Sequence, residues 1–175
     1  DGMVIDDGVT SRLGENHYVM TTTTGNAASV MSKLEDWLQT EWPKFKVYLT
    51  SVTEQFATIS INGPYAPQLM KKLCPNHDFS KDNFPHMSFQ NIEIDGVHCR
   101  VMRISFTGEM CYEINVPSSY AKALWQKCFN SGLEYNITPY GTEAMHVLRA
   151  EKGFIIVGQE TDGSVTPMDL DMSWI

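Results

Sequence analysis

Ser88-Phe89-Gln90-Asn91-Ile92-Glu93-Ile94-Asp95-Gly96-Val97-His98-Cys99-Arg100-Val101-Met102 is the stretch that decides the fold class. Two strand-like runs, 88–94 and 97–106, flank Asp95-Gly96. An Asp-Gly pair accepts the positive φ angles of a tight two-residue turn, so the runs predict an antiparallel hairpin. Downstream, Tyr112-Glu113-Ile114-Asn115-Val116 alternates apolar and polar residues as a half-buried third strand does. Ser118 is placed to cap a helix carrying Leu124, Trp125, Cys128 and Phe129 on one face, with Gly132 where a C-cap would fall. A last helix over 142–152 ends at Gly153.

Upstream of the hairpin the pattern changes period several times. Runs 4–13 and 17–23 read as strands joined through Gly14-Glu15-Asn16. Ala27, Val30, Met31, Leu34, Trp37 and Leu38 recur at helical spacing, with Thr24 or Asn26 as N-cap and Pro43 beyond the last turn. Runs 45–52 and 56–61 are rich in β-branched and aromatic residues and read as two more strands. Asn62-Gly63-Pro64 then opens a short helix closed by Pro75, and the polar segment 77–85 is a loop. Residues 16–94 therefore spell strand, helix, strand, strand, helix, strand, the order of a ferredoxin-like βαββαβ element. Residues 87–175 add a hairpin plus helices. The expected class is α+β, with antiparallel sheets covered by helices on one face.

The 175 residues suffice for one cored domain or a slice of a larger protein. Hydrophobic residues make up 42% and charged residues 19%, the balance of a water-soluble globular chain. A net charge of −8 argues against a nucleic-acid surface. No window has the length and apolarity of a membrane helix. Both ends run into apolar sequence, which predicts an excised piece. Cys74, Cys99, Cys111 and Cys128 form no Cys-x-x-Cys and no zinc-like spacing with a histidine, so reduced thiols in a cytoplasmic protein are expected and no metal site is predicted. The sequence contains neither G-x-G-x-x-G nor a phosphate-cradling loop.

Three carboxylates and one arginine stand out. Asp6 and Asp7 are adjacent on an extended run and point to opposite faces, so they cannot form an acid–base pair and at most one faces a site. For that one, a polar strand end and a carboxylate beside a cationic centre are both open readings. Glu113 faces either water or a ligand lying on the sheet; a strand-borne carboxylate accepts two parallel N–H donors well. Thr107-Gly108 just before it permits a sharp turn and a close approach. Arg149 serves either a surface ion pair or a ligand carboxylate. The run Thr21-Thr22-Thr23-Thr24 either meets a ligand or extends a strand and caps the helix after it.

Gly2-Met3-Val4-Ile5-Asp6-Asp7, Phe106-Thr107-Gly108-Glu109-Met110-Cys111-Tyr112-Glu113, and Leu148-Arg149-Ala150-Glu151-Lys152-Gly153 followed by Gly158-Gln159-Glu160 together resemble the aminomethyltransferase (glycine-cleavage T-protein) family. The likeness runs in order along nearly the whole chain. It implies a tetrahydrofolate-binding segment. Asp7 matches the carboxylate beside the folate nitrogens and the one-carbon unit. Glu113 matches the carboxylate that pairs with the pterin ring, and Arg149 an arginine of the pocket. Phe106 stands for a tyrosine packed near the ring, and Cys111 stands where the family has glycine. His146 and Val157 also depart from the T-protein pattern.

Residues 145–153 with 158–167, and 34–42, are similar to the α subunits of heterotetrameric sarcosine oxidases, a flavoenzyme branch of the family. That likeness implies that the complete enzyme oxidises an N-methyl amine to an iminium. The folate segment receives the one-carbon unit as 5,10-methylene-tetrahydrofolate, and oxygen becomes hydrogen peroxide. FAD, FMN and NAD would be held elsewhere in the enzyme, and the other subunits would be partners. A freestanding aminomethyltransferase, a dimethylglycine-type oxidoreductase and a non-catalytic folate-binding or assembly domain are the alternatives.

Overall fold

The computed structural model describes residues 2–174. They divide into two compact units, a continuous one over Glu54–Phe154 and a split one made from Asp1–Thr53 and Ile155–Ile175.

The continuous unit is built on the expected hairpin. Strands β4 (Phe89–Ile94) and β5 (Val97–Met102) are antiparallel, with Ile94 opposite Val97. Asp95 and Gly96 have φ of 51° and 75°, so both turn residues take the left-handed region that an Asp-Gly turn supplies cheaply. Strand β6 (Cys111–Pro117) pairs with β5 on one side, and on the other with β3 (Phe56–Asn62), giving the order β3-β6-β5-β4, all antiparallel. The core face carries Ile59 and Ile61, Ile92 and Ile94, Cys99 and Val101, and Tyr112, Ile114 and Val116. Against it pack Leu69, Met70 and Leu73 of α2 (Ala66–Leu73) and Leu124 and Cys128 of α3 (Ala121–Gly132). Tyr112 is fully buried, its ring 5.6 Å from Phe79 and 5.5 Å from Phe84, and its hydroxyl donates to the Phe79 carbonyl at 3.2 Å. Helix α4 (Thr142–Lys152) ends at Gly153 as expected.

Two expected caps do other work. Ser118 opens a short 3-10 turn ahead of α3, and its hydroxyl donates to the Glu54 carbonyl at 2.7 Å. Gly132 is the last residue of α3; a Cβ there would meet Ile137, and the left-handed residue is Asn136, at φ 56°.

In the split unit, β1 (Thr10–Gly14) and β2 (His17–Met20) form a separate two-stranded ladder, and α1 (Ala27–Thr40) follows. The strand expected over 4–13 starts only at Thr10, and the one expected over 17–23 stops at Met20. Residues 45–52, expected as a strand, form none. The βαββαβ run over 16–94 therefore lacks its second inner strand, and β3 takes β6 as its neighbour instead. The physical reason is the burial of β6, which lies between two partners and needs both its edges bonded. The α+β class and the antiparallel sheets stand.

Candidate functional site

Alternation along β6 sends Tyr112, Ile114 and Val116 into the core and Cys111, Glu113 and Asn115 to the opposite face. Glu113 lies opposite Ser60 of β3 and Met102 of β5. Two hydrogen-bonded pairs lie on that face, Thr58 donating to Asn115 at 2.9 Å and Asn62 donating to Ser60 at 2.9 Å, beside the buried Met102 and Cys111. Glu113 is half-buried, and burial pushes its carboxyl above the ordinary value. Among the described residues no hydrogen bond reaches that carboxylate. A shielded acceptor that no donor reaches among the described residues makes this face the candidate site, since such a group costs free energy until N–H donors are supplied.

Asn62 and Tyr140 close one end. The Asn62 amide donates to the Tyr140 hydroxyl at 2.5 Å, joining β3 to the segment before α4 across 78 residues. The Thr107 hydroxyl donates to the Asn62 side-chain oxygen at 3.0 Å. Burial raises the Tyr140 phenol above its ordinary value, and the nearby Cys111 and Glu113 act in the same sense. Cys111 is buried with its Sγ 3.3 Å from the Ser60 hydroxyl, and burial pushes its thiol up to about 12. It is a packed neutral thiol and not a nucleophile. Ser60, Asn62 and Tyr140 escaped the sequence reading. The one available signal was the polar series Thr58, Ser60, Asn62 at every second position of a strand.

The turn before β6 is folded onto the protein itself. Gly108 has φ +80°, and a Cβ there would collide with the aliphatic stem of Lys152 on α4. The close approach expected at Thr107-Gly108 is thus to Lys152. Arg103, buried beside this turn, donates from Nη1 to the Phe84 carbonyl at 2.6 Å. Phe106 is half-buried in the same loop. Arg149 is buried on α4, where its Nη1 donates to the Phe154 carbonyl at 3.0 Å while the Phe154 amide donates to the Arg149 carbonyl at 2.9 Å. These bonds close the helix end.

Asp6 and Asp7 belong to the split unit and divide the work between them. Burial tends to raise Asp6, but donors from Thr23, Asn26 and the Asp7 amide outweigh it and leave its carboxyl below the ordinary value. The Asn26 side chain donates to Asp6 at 2.8 Å and to the Ile5 carbonyl at 3.1 Å; it ties the N-terminal segment down and does not cap α1 with its side chain. Thr21 works likewise, accepting from the Val9 amide at 3.1 Å. At Gly8 a Cβ would collide with the Thr21 carbonyl. Among the described residues Asp7 joins this network through its amide, which donates to Asp6 at 2.7 Å. Partial shielding, with the Asp6 charge beside it, pushes its carboxyl up, and among the described residues no side chain donates to it. Among the described residues no cluster of His, Cys, Asp and Glu could hold a metal ion, and no helix is long and apolar enough to cross a membrane.

A chain of this fold, with an acceptor carboxylate on the face of a four-stranded antiparallel sheet away from its core, belongs to the GCVT N-terminal domain family, which it matches over residues 1–175. The chain is 56% identical to the sarcosine oxidase subunit alpha of Corynebacterium sp. (strain P-1), over 100% of its own length and 18% of that subunit's. It is 31% identical to the aminomethyltransferase of Caldanaerobacter subterraneus subsp. tengcongensis, covering 99% of itself and 45% of that enzyme. Among solved structures, it superposes on glycine cleavage system aminomethyltransferase T from Bartonella henselae with a TM-score of 0.82 at 22% identity, over 99% of itself and 44% of that chain. The chain thus spans about one fifth of the sarcosine oxidase subunits it resembles.

Proposed function

We propose that these residues are the folate-binding segment of a sarcosine oxidase α subunit. In that role the complete enzyme oxidatively demethylates sarcosine and passes the one-carbon unit to tetrahydrofolate, with hydrogen peroxide as the other product. The observation that carries the reading is Glu113, a half-buried carboxylate that no hydrogen bond reaches among the described residues, on the sheet face away from the core. A 2-amino-4-oxo pterin ring presents the parallel N–H pair that such a carboxylate accepts, so the residues present fit the group. The 56% identity to a sarcosine oxidase α subunit, against 31% to an aminomethyltransferase, favours the flavoenzyme branch over a freestanding transferase.

When bound, tetrahydrofolate supplies the nitrogen that takes up the one-carbon unit of the sarcosine-derived iminium. Glu113 accepts the ring's donors and sets its orientation, with Phe106 packing near it. Arg149 stays in the proposal on the strength of its motif, its guanidinium steadied by the bond to Phe154. Asp7 takes or holds the proton shed at nitrogen, and its upward-shifted pKa suits a proton acceptor. FAD, FMN and NAD would be carried by the rest of the enzyme, and the other sarcosine oxidase subunits would be its partners. The four free, buried thiols fit a cytoplasmic setting.

Calorimetric titration of tetrahydrofolate into the full-length protein tests the reading. Glu113→Ala should weaken binding about 30- to 100-fold, the worth of a charge-assisted donor pair. Unchanged affinity in that variant sinks the proposal. Asp7→Ala should slow methylene-tetrahydrofolate formation by about 10²-fold or more while folate still binds. Full transfer by Asp7→Ala would leave a binding module whose chemistry lies elsewhere.

A further inference from the structure

On the β3–β6 ladder Ser60 faces Glu113, and Asn62, one pleat further along β3, faces Cys111. The Asn62 side-chain amide is committed at both ends. Its nitrogen donates to the Ser60 and Tyr140 hydroxyls at 2.9 and 2.5 Å, and its oxygen accepts from Thr107 at 3.0 Å. Thr107 in turn accepts from the Glu109 amide at 3.4 Å. A backbone N–H can only donate, so it sets the direction of the whole chain, from Glu109 to Thr107, to Asn62, to Tyr140. The Tyr140 oxygen is thereby used as an acceptor, and the Ser60 hydroxyl acts on it in the same sense. Among the described residues no hydrogen bond takes up the phenol's own proton. Tyr140 is 41% exposed, and Glu113 is near enough for its charge to act on the phenol.

We propose that Tyr140 is the specificity-determining donor of this site, a role that rests on the folate-binding reading of Glu113. It selects a pteridine with a 4-oxo group over one with a 4-amino group. The pterin edge that offers the 2-amino and N3 donors to a carboxylate continues directly into the 4-oxo acceptor. Its complement is two acceptors followed by a donor, and Glu113 supplies only the acceptors. Other polar groups on this face are engaged, Ser60 with the Cys111 thiol and Thr58 with Asn115. Arg100 lies opposite Asn115, at the other end of the face from Asn62. Tyr140 is the donor that remains. A 4-amino group would set a second donor against a hydroxyl whose oxygen is already engaged, and such a mismatch discriminates against the wrong ligand. Asn62 and Thr107 are positioning residues, which hold the phenol in its donor state.

Calorimetric titration of the full-length protein with tetrahydrofolate and with its 4-amino-4-deoxy analogue tests this. The unaltered protein should prefer the 4-oxo ligand. Tyr140→Phe should weaken tetrahydrofolate binding about 10-fold and leave the 4-amino analogue unchanged. Asn62→Ala should lower the same preference, with no further drop when it is added to Tyr140→Phe. Equal weakening of both ligands by Tyr140→Phe indicates a structural role and overturns the proposal, as does an unchanged preference. Glu113→Ala tells the two failures apart. If it weakens tetrahydrofolate binding while Tyr140→Phe leaves the preference intact, only the role of Tyr140 falls. If it changes nothing, or if tetrahydrofolate does not bind, the folate-binding reading falls and the role of Tyr140 with it.

Discussion

The two units differ in what holds them together. In the continuous unit every strand of the sheet sends alternate side chains into one core, and every buried apolar residue described lies between Ile59 and Cys128. Among the described residues of the split unit only Thr161 is buried. Its order comes from polar ties: Asp6 to Thr23 and Asn26, Thr21 to Val9, Val4 to Val165. Net hydrogen bonds contribute about 1 kcal/mol each, whereas a buried leucine-sized side chain contributes about 1.5–3. One unit is held by an apolar core, and the other by polar ties.

Three substitutions probe that contrast. The largest effect is expected in the core of β6, where Ile114→Ala should cost about 2–5 kcal/mol by denaturant unfolding. Val19→Ala in β2 should cost under about 1 kcal/mol, because Val19 is only half-buried. Equal costs would erase the distinction between the units. Gly8→Ala comes next, at about 1–3 kcal/mol, because the new methyl meets the Thr21 backbone. Exchange should quicken at Val9 and Thr21 and stay slow at Val101.

Glu113→Gln has the opposite sign. The folded carboxyl titrates above its ordinary 4.5, so the native state holds its proton more tightly than the unfolded chain does. Stability is therefore lost as pH rises from 4.5 through the folded value. The glutamine variant should be more stable by about 1 kcal/mol at pH 7 and no more stable below pH 4.5. A variant less stable at pH 7 would mean that the carboxylate has a partner in the folded protein.

The same contrast explains how far the chain could be read. The Asp95-Gly96 hairpin, β6, α1, α2 and the Gly153 stop of α4 were legible because each depends on residues a few positions apart. Residues 45–52 misled for a definable reason: their strand propensity is real, but a strand exists only where a second backbone meets it. Glu113 could be singled out by its motif. The lack of donors around it could not, since that depends on where Ser60, Met102 and Tyr140 come to rest.

By itself, then, the sequence determined the local elements, the α+β class and the ordered motifs that mark the family, because periodicity, turn chemistry and motif spacing act over short range. Only the tertiary structure decided the β3-β6-β5-β4 order, the pinning of Asp6 by Thr23 and Asn26, and the joining of Asn62 to Tyr140 across 78 residues. Those outcomes depend on which distant surfaces exclude water from one another, and no window of neighbouring residues contains that information.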